Sequence, residues 1–162
     1  QQITKPVKAD AALVRTGCPA IDTVLQIEQR KASAQGITME IVAHGLPENC
    51  ISPADCNCIL GNLLDNAIEA QADVPEGERH IQVSLQQRHD FLVLQVRNSV
   101  TENPLGENGK LRTSKKTSPG LHGIGIKSVE VAVGRYEGEL SYSFKDGLFS
   151  VSALLCVNDM NY

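Results

Sequence analysis

The sequence predicts an α/β domain: a two-layer sandwich in which a mixed, mostly antiparallel sheet carries helices on one face. Three observations point there. Apolar residues recur at helical spacing in three stretches, each standing ahead of a strand or a strand pair. The other alternating segments come in couples with short gaps, His80 to Gln87 with Phe91 to Asn98, and Glu139 to Phe144 with Leu148 to Cys156. A chain of 162 residues with ordinary apolar content is also long enough for one domain with a real core.

Residues 1–18 are polar and mixed, with Pro6 and Gly17 and no period, and read as a linker or the remnant of a preceding element; the domain proper is expected over 19–162. From Pro19 to Gln35, Ile21, Val24, Leu25 and Ala32 share a helical face, and Gly36 suits the C-terminal cap. Thr38 to His44 alternates, with Met39, Ile41 and Ala43 on one side of a strand. After a connection over 45–51, Ser52 can cap a helix, Pro53 suits its first position, and Asp55 lies where a capping-box acid belongs. Ile59, Leu60, Leu63, Leu64, Ala67 and Ile68 form the buried stripe of that helix, which should end near Ala72. The first strand pair follows. Residues 100–120 hold almost nothing to bury and much Gly, Pro, Ser, Thr and Lys, the mark of a functional lid or of a disordered segment. A further helix is expected from His122 or Gly123 to Val133 with Gly134 as its stop, then the second pair, joined through Asp146-Gly147.

The chemistry gathers at two places. At about 100° per residue, Asn62, Asn66 and Glu69 fall within a narrow arc opposite the apolar stripe. A solvated stripe is the bland alternative, but Asn costs roughly half a kcal/mol relative to Ala or Lys at each helical position. Two of them one turn apart suggest amides with something to bind, and a neutral amide oxygen suits Mg²⁺ that already carries phosphate oxygens and water. Gly120-Leu121-His122-Gly123-Ile124-Gly125-Ile126-Lys127 is the second place: glycines at a helix entry let backbone N–H groups approach an anion. Lys110, Arg112, Lys115 and Lys116 cluster just ahead of it, either as a solvated charge run or as cations that close over phosphate.

Composition narrows the classes. A net charge of -4 argues against nucleic acid as the main partner. No apolar run approaches membrane-spanning length. Five cysteines, an odd number without a disulfide-framework spacing, fit a reducing cytosol, and Cys56-x-Cys58 has no companion ligands for zinc. A chain that starts at Gln1 reads as a fragment of something longer.

LGNLLDNAIEA, with its Asn62-x-x-x-Asn66-Ala, resembles the N box of the ATP-binding superfamily of gyrase, MutL, a heat-shock chaperone family and histidine kinases. HGIGIKSV resembles that superfamily's second glycine box. The two boxes with Thr113-Ser114-Lys115-Lys116 between them are most similar to sensor histidine kinase catalytic domains, nearest the peptide quorum-sensing receptors of Gram-positive bacteria. The resemblance covers roughly residues 16–157 and implies a Bergerat-type fold with ATP and Mg²⁺ as its ligands.

Carried onto this chain, the resemblance implies that Asn66 ligates the Mg²⁺ and that Asn62 contacts phosphate or a metal-bound water. Lys115 and Lys116 would reach the phosphates from a lid over about 100–120. Gly120, His122, Gly123, Ile124 and Gly125 would wrap the triphosphate, with Glu69 beside them, and Ile68, Ile124 and Ile126 would line the adenine pocket. The family's hydrolases carry a general-base Glu where Asn62 stands, and an amide takes no proton at neutral pH, so transfer to a protein is favoured over hydrolysis. The family's D-x-G-x-G box is replaced by Val96-Arg97-Asn98-Ser99-Val100, leaving Asn98 as the adenine contact through its side-chain oxygen. A phenylalanine-rich lid motif is also missing. None of His44, His80, His89 and His122 sits in a helical phosphoacceptor pattern. The phosphoacceptor histidine is therefore expected on a dimerisation domain ahead of this one, and a response regulator downstream, in a cytoplasmic part of a membrane-anchored sensor. Two further readings stay open, a degenerate docking module on the same fold and a serine kinase of the anti-sigma type.

Overall fold

Two-residue turns build most of the sheet. Asp146 and Gly147 both adopt positive φ, 52° and 76°, which is the backbone of a type I′ turn and matches the twist of the strands it joins. His89, φ 53°, and Asp90 make the other tight connection. The computed structural model describes residues 7–8, 14–111 and 121–157, without the side chains of 7, 8 and 121–124. Among these, six strands form one sheet: β1 (Val7–Lys8), β2 (Thr38–Ala43), β3 (His80–Arg88), β4 (Phe91–Ser99), β5 (Glu139–Lys145) and β6 (Leu148–Cys156). Their order is β1-β2-β3-β4-β6-β5, and only the β2–β3 pair is parallel.

The helices are α1 (Pro19–Ala34), α2 (Pro53–Cys56), α3 (Asn62–Ala70) and α4 (Leu121–Arg135), with one π-helical turn, Asn57–Gly61, fusing α2 to α3. Ile81, Val83 and Leu85 of β3 and Leu92, Leu94 and Val96 of β4 are buried against Leu25, Leu60, Leu64 and Val129 of the helical layer. Each such side chain contributes about 1.5–3 kcal/mol by leaving water. The opposite sheet face is polar: Gln82 donates to Glu40 at 3.3 Å and Gln95 to Ser152 at 3.2 Å. This is the expected two-layer α/β sandwich with a mixed, mostly antiparallel sheet.

Four local expectations need correction. Residues 14–18 do not trail off: Val14, Thr16 and Cys18 are buried, and Asp22 accepts from both the N–H and the hydroxyl of Thr16 at 2.7 Å. The helix carrying the asparagines is not α-helical throughout, because the π turn widens it just before Asn62. Asp55 does not reach back to Ser52 N–H. The Tyr136 hydroxyl accepts from that N–H at 3.2 Å and donates to Asp55 at 2.7 Å, so the box is closed through a residue of another element. Finally, α4 runs through Gly134 and ends at Arg135. Its stop is Glu137 in the left-handed region, with Gly138 N–H returning to Val133 O, and Gly138 is where Leu154 O leaves no room for a Cβ.

Candidate functional site

On α3 the side chains of Asn62, Asp65, Asn66 and Glu69 recur at one- and two-turn spacing on the face turned away from the sheet. They open on a pocket of about 310 Å³ whose other walls are Ile68, Lys31 from the last turn of α1 and Gln35 at its C-cap. Asn62 is fixed rather than free in this wall. Its Nδ2 donates to Cys58 O at 2.5 Å, across the π turn, while its Oδ1 lies 3.5 Å from where a Cβ on Gly125 would stand. Cys58 Sγ in turn lies 3.5 Å from Ser128 O. The entry of α4 is thereby laid against Asn62, which brings the two sequence boxes together. Asn66, half-buried, faces the pocket one turn on.

The N-terminal N–H groups of α4, from Leu121 through His122, Gly123 and Ile124, have no carbonyl one turn earlier in the helix to bond. Ile126 is half-buried and packs against the core. Lys115, Lys116 and Gly120, with Arg112, lie outside the described residues. Asn98 stands elsewhere. It is buried near the end of β4, opposite Ile81 and Phe149, and its Nδ2 donates to Ser99 O at 3.1 Å. Buried Gln71, just past α3, donates to the same carbonyl at 2.8 Å and accepts from His80 N–H at 3.0 Å. Asn98 thus sits at the junction of α3, β3 and β4 and does not line the pocket of Asn62 and Asn66.

Apart from Glu69, the sequence reading missed the pocket's charges. Lys31 Nζ stands 2.9 Å from Glu28 Oε2 and 3.0 Å from Asp65 Oδ1, bridging α1 to α3. Glu28 is 3 % exposed, and its Oε1 is buried without a hydrogen-bond partner. Burial pushes its carboxyl up to about 7, Asp65 adds to that, and Lys31 opposes it. Lys31 is held above the usual lysine range, by Glu28 first and Asp65 second. Asp65 could have been found from its spacing, since it is three residues from Asn62. Nothing local marks Lys31 or Glu28.

Residues 51–156, well over half of the chain, match the family model described as the GHKL domain. The chain belongs to the GHKL family. Solved structures agree on the fold of this GHKL domain. It superposes on the nucleotide-free catalytic domain of histidine kinase ThkA with a TM-score of 0.64 at 15% identity, covering 95% of this chain and 97% of that one. Against the mycobacterial sensor histidine kinase MprB the TM-score is 0.62 at 17% identity, over 94% and 96%. Acinetobacter baumannii histidine kinase AdeS gives 0.60 at 14%, over 86% of this chain and 64% of its own. No curated protein matches the chain. At these identities the structural likeness speaks for the fold alone.

GHKL domains bind ATP with Mg²⁺, and the residues of this one fit that pair of ligands. The pocket offers hard oxygen donors, two amides and the Asp65 and Glu69 carboxylates. Among the described residues no cluster of three His, Cys, Asp or Glu could hold a metal ion. That donor set suits a Mg²⁺ that draws most of its ligands from phosphate and water. No helix among the described residues is long and apolar enough to cross a membrane.

Proposed function

We propose that this GHKL domain is the ATP-binding catalytic part of a sensor histidine kinase. It binds Mg·ATP and donates the γ-phosphoryl group to a histidine on a dimerisation domain outside residues 19–162. A response regulator then takes the group. The observation that carries this reading is the pocket shared by Asn62 and Asn66, with Asn62 Oδ1 turned to Gly125 at the start of α4.

In this reading Asn66 holds Mg²⁺, which supplies charge neutralisation at the phosphates. Asn62 orients phosphate or water and, being an amide fixed to Cys58 O, takes no proton from water. That favours transfer to a side chain over hydrolysis. Gly120 and the N–H groups of His122, Gly123, Ile124 and Gly125 bind the phosphate chain, and Lys115 and Lys116 approach it from the lid. Glu69 flanks the metal side, and Ile68, Ile124 and Ile126 contact the base; Asn98, outside the pocket of Asn62 and Asn66, receives the adenine amino group at the junction of α3, β3 and β4. Catalysis rests on positioning and charge neutralisation. The peptide quorum-sensing branch is supported by Asn98 and the Thr113–Lys116 segment of the sequence alone. A cytoplasmic position beneath a membrane-anchored sensor goes with that branch.

Titration calorimetry of ATP and ADP, with and without Mg²⁺, tests the reading. Mg²⁺-dependent binding that Asn66→Ala weakens at least about tenfold, with an unchanged circular dichroism spectrum, is the expected result. No binding at millimolar nucleotide sinks it and leaves a docking module on the same fold.

A further inference from the structure

We propose that Lys31, on α1, is a phosphate-binding residue of this site: nucleotide draws its ammonium group away from Asp65 while it keeps its bond to Glu28. The proposal rests on the reading of the pocket as the phosphate site. Lys31 is the one cation among its described lining residues, and it shares the pocket with Asn62 and Asn66. Asp65 and Glu69 give the same pocket two carboxylates, so an incoming polyphosphate meets repulsion that one ammonium group can offset.

One present partner of Lys31 is one it can leave. Its bond to Asp65 joins side chains 48% and 45% exposed, a pair that solvent screens and that contributes little. Glu28 is different, with a side chain only 4% exposed. A buried carboxylate stripped of its cation is costly, so Lys31 keeps its 2.9 Å bond to Glu28 and offers phosphate the bond that Asp65 now takes.

The experiment is calorimetry of Mg·ATP and of adenosine with the wild-type chain, Lys31→Met and Lys31→Arg. Titrations run at pH 7.5. The Met variant keeps most of the stem and removes the charge. Expected is a Kd for Mg·ATP raised about tenfold in Lys31→Met and largely restored in Lys31→Arg, with adenosine affinity unmoved. Wild-type affinity for Mg·ATP in Lys31→Met, or loss of adenosine and Mg·ATP affinity by the same factor, overturns the role of Lys31 alone. Absence of Mg·ATP binding to the wild type overturns the site reading and this inference together.

Discussion

Burial of Glu28 beside Asp65 means that this carboxyl releases its proton near pH 7 in the folded protein instead of at the ordinary 4.5. A raised folded value makes the contribution to stability complete below about pH 4.5 and lost as pH climbs through 7. The chain is therefore expected to melt at progressively lower temperature between pH 5 and pH 8. Glu28→Gln has no proton to lose, so its melting temperature should match wild type near pH 5 and exceed it by several degrees at pH 8. Melting curves of both proteins across that range check this. A Glu28→Gln curve parallel to wild type would show that the carboxyl stays charged. At this scale the sequence was half legible. The arc of Asn62, Asn66 and Glu69 follows from helical periodicity alone. Lys31 meets Asp65 across 34 residues of sequence, and no local pattern announces such a meeting.

Among elements, the most consequential joint is Tyr136, which follows α4 and completes the cap at the start of α2. Its hydroxyl satisfies the Ser52 N–H and one oxygen of Asp55, whose other oxygen meets Arg135 Nη2 at 2.6 Å. Partial burial opposes, but the bonds from Arg135, Tyr136 and the Ser52 hydroxyl, which donates to Asp55 at 2.9 Å, together hold the Asp55 carboxyl below the usual range. Tyr136→Phe keeps the ring and removes the relay, and should cost about 1–2 kcal/mol in urea unfolding. Arg135→Ala removes an exposed guanidinium from a carboxyl that Tyr136 still holds, and should cost less than Tyr136→Phe in the same unfolding series. Hairpins were readable because turn chemistry is local, as Asp146-Gly147 illustrates. The end of α4 was not. Gly134 looked like a stop, but glycine is tolerated in a helix, and the actual stop depends on the approach of Leu154 O on β6 to Gly138. The π turn before Asn62 was equally hidden. It contains the ordinary helical residues Cys58, Ile59 and Leu60, and its one local sign is that a Cβ on Gly61 would crowd Asn57 Oδ1 at 3.3 Å.

For the whole molecule, the order of elements along the chain and the layer arrangement were legible because alternating and helical apolar periods separate cleanly; the strand order within the sheet was not read. The parallel pairing of β2 with β3 was not spelled out by any turn, since a crossover can be read only once the helix between them is placed. That crossover carries the asparagines. Antiparallel strands β3–β4 and β5–β6 close through two residues, whereas β2 meets β3 only after α2, the π turn and α3 have been laid over the sheet. Amide hydrogen exchange should therefore divide the protein. The β2–α3 unit should open at lower free energy than the hairpins, and Mg·ATP should slow exchange in α3 by a factor that grows with ligand concentration. The amides of β5 should respond least. The nucleotide helix is in this sense spliced between two strands that need it to meet, so occupying the pocket also closes the last seam of the fold.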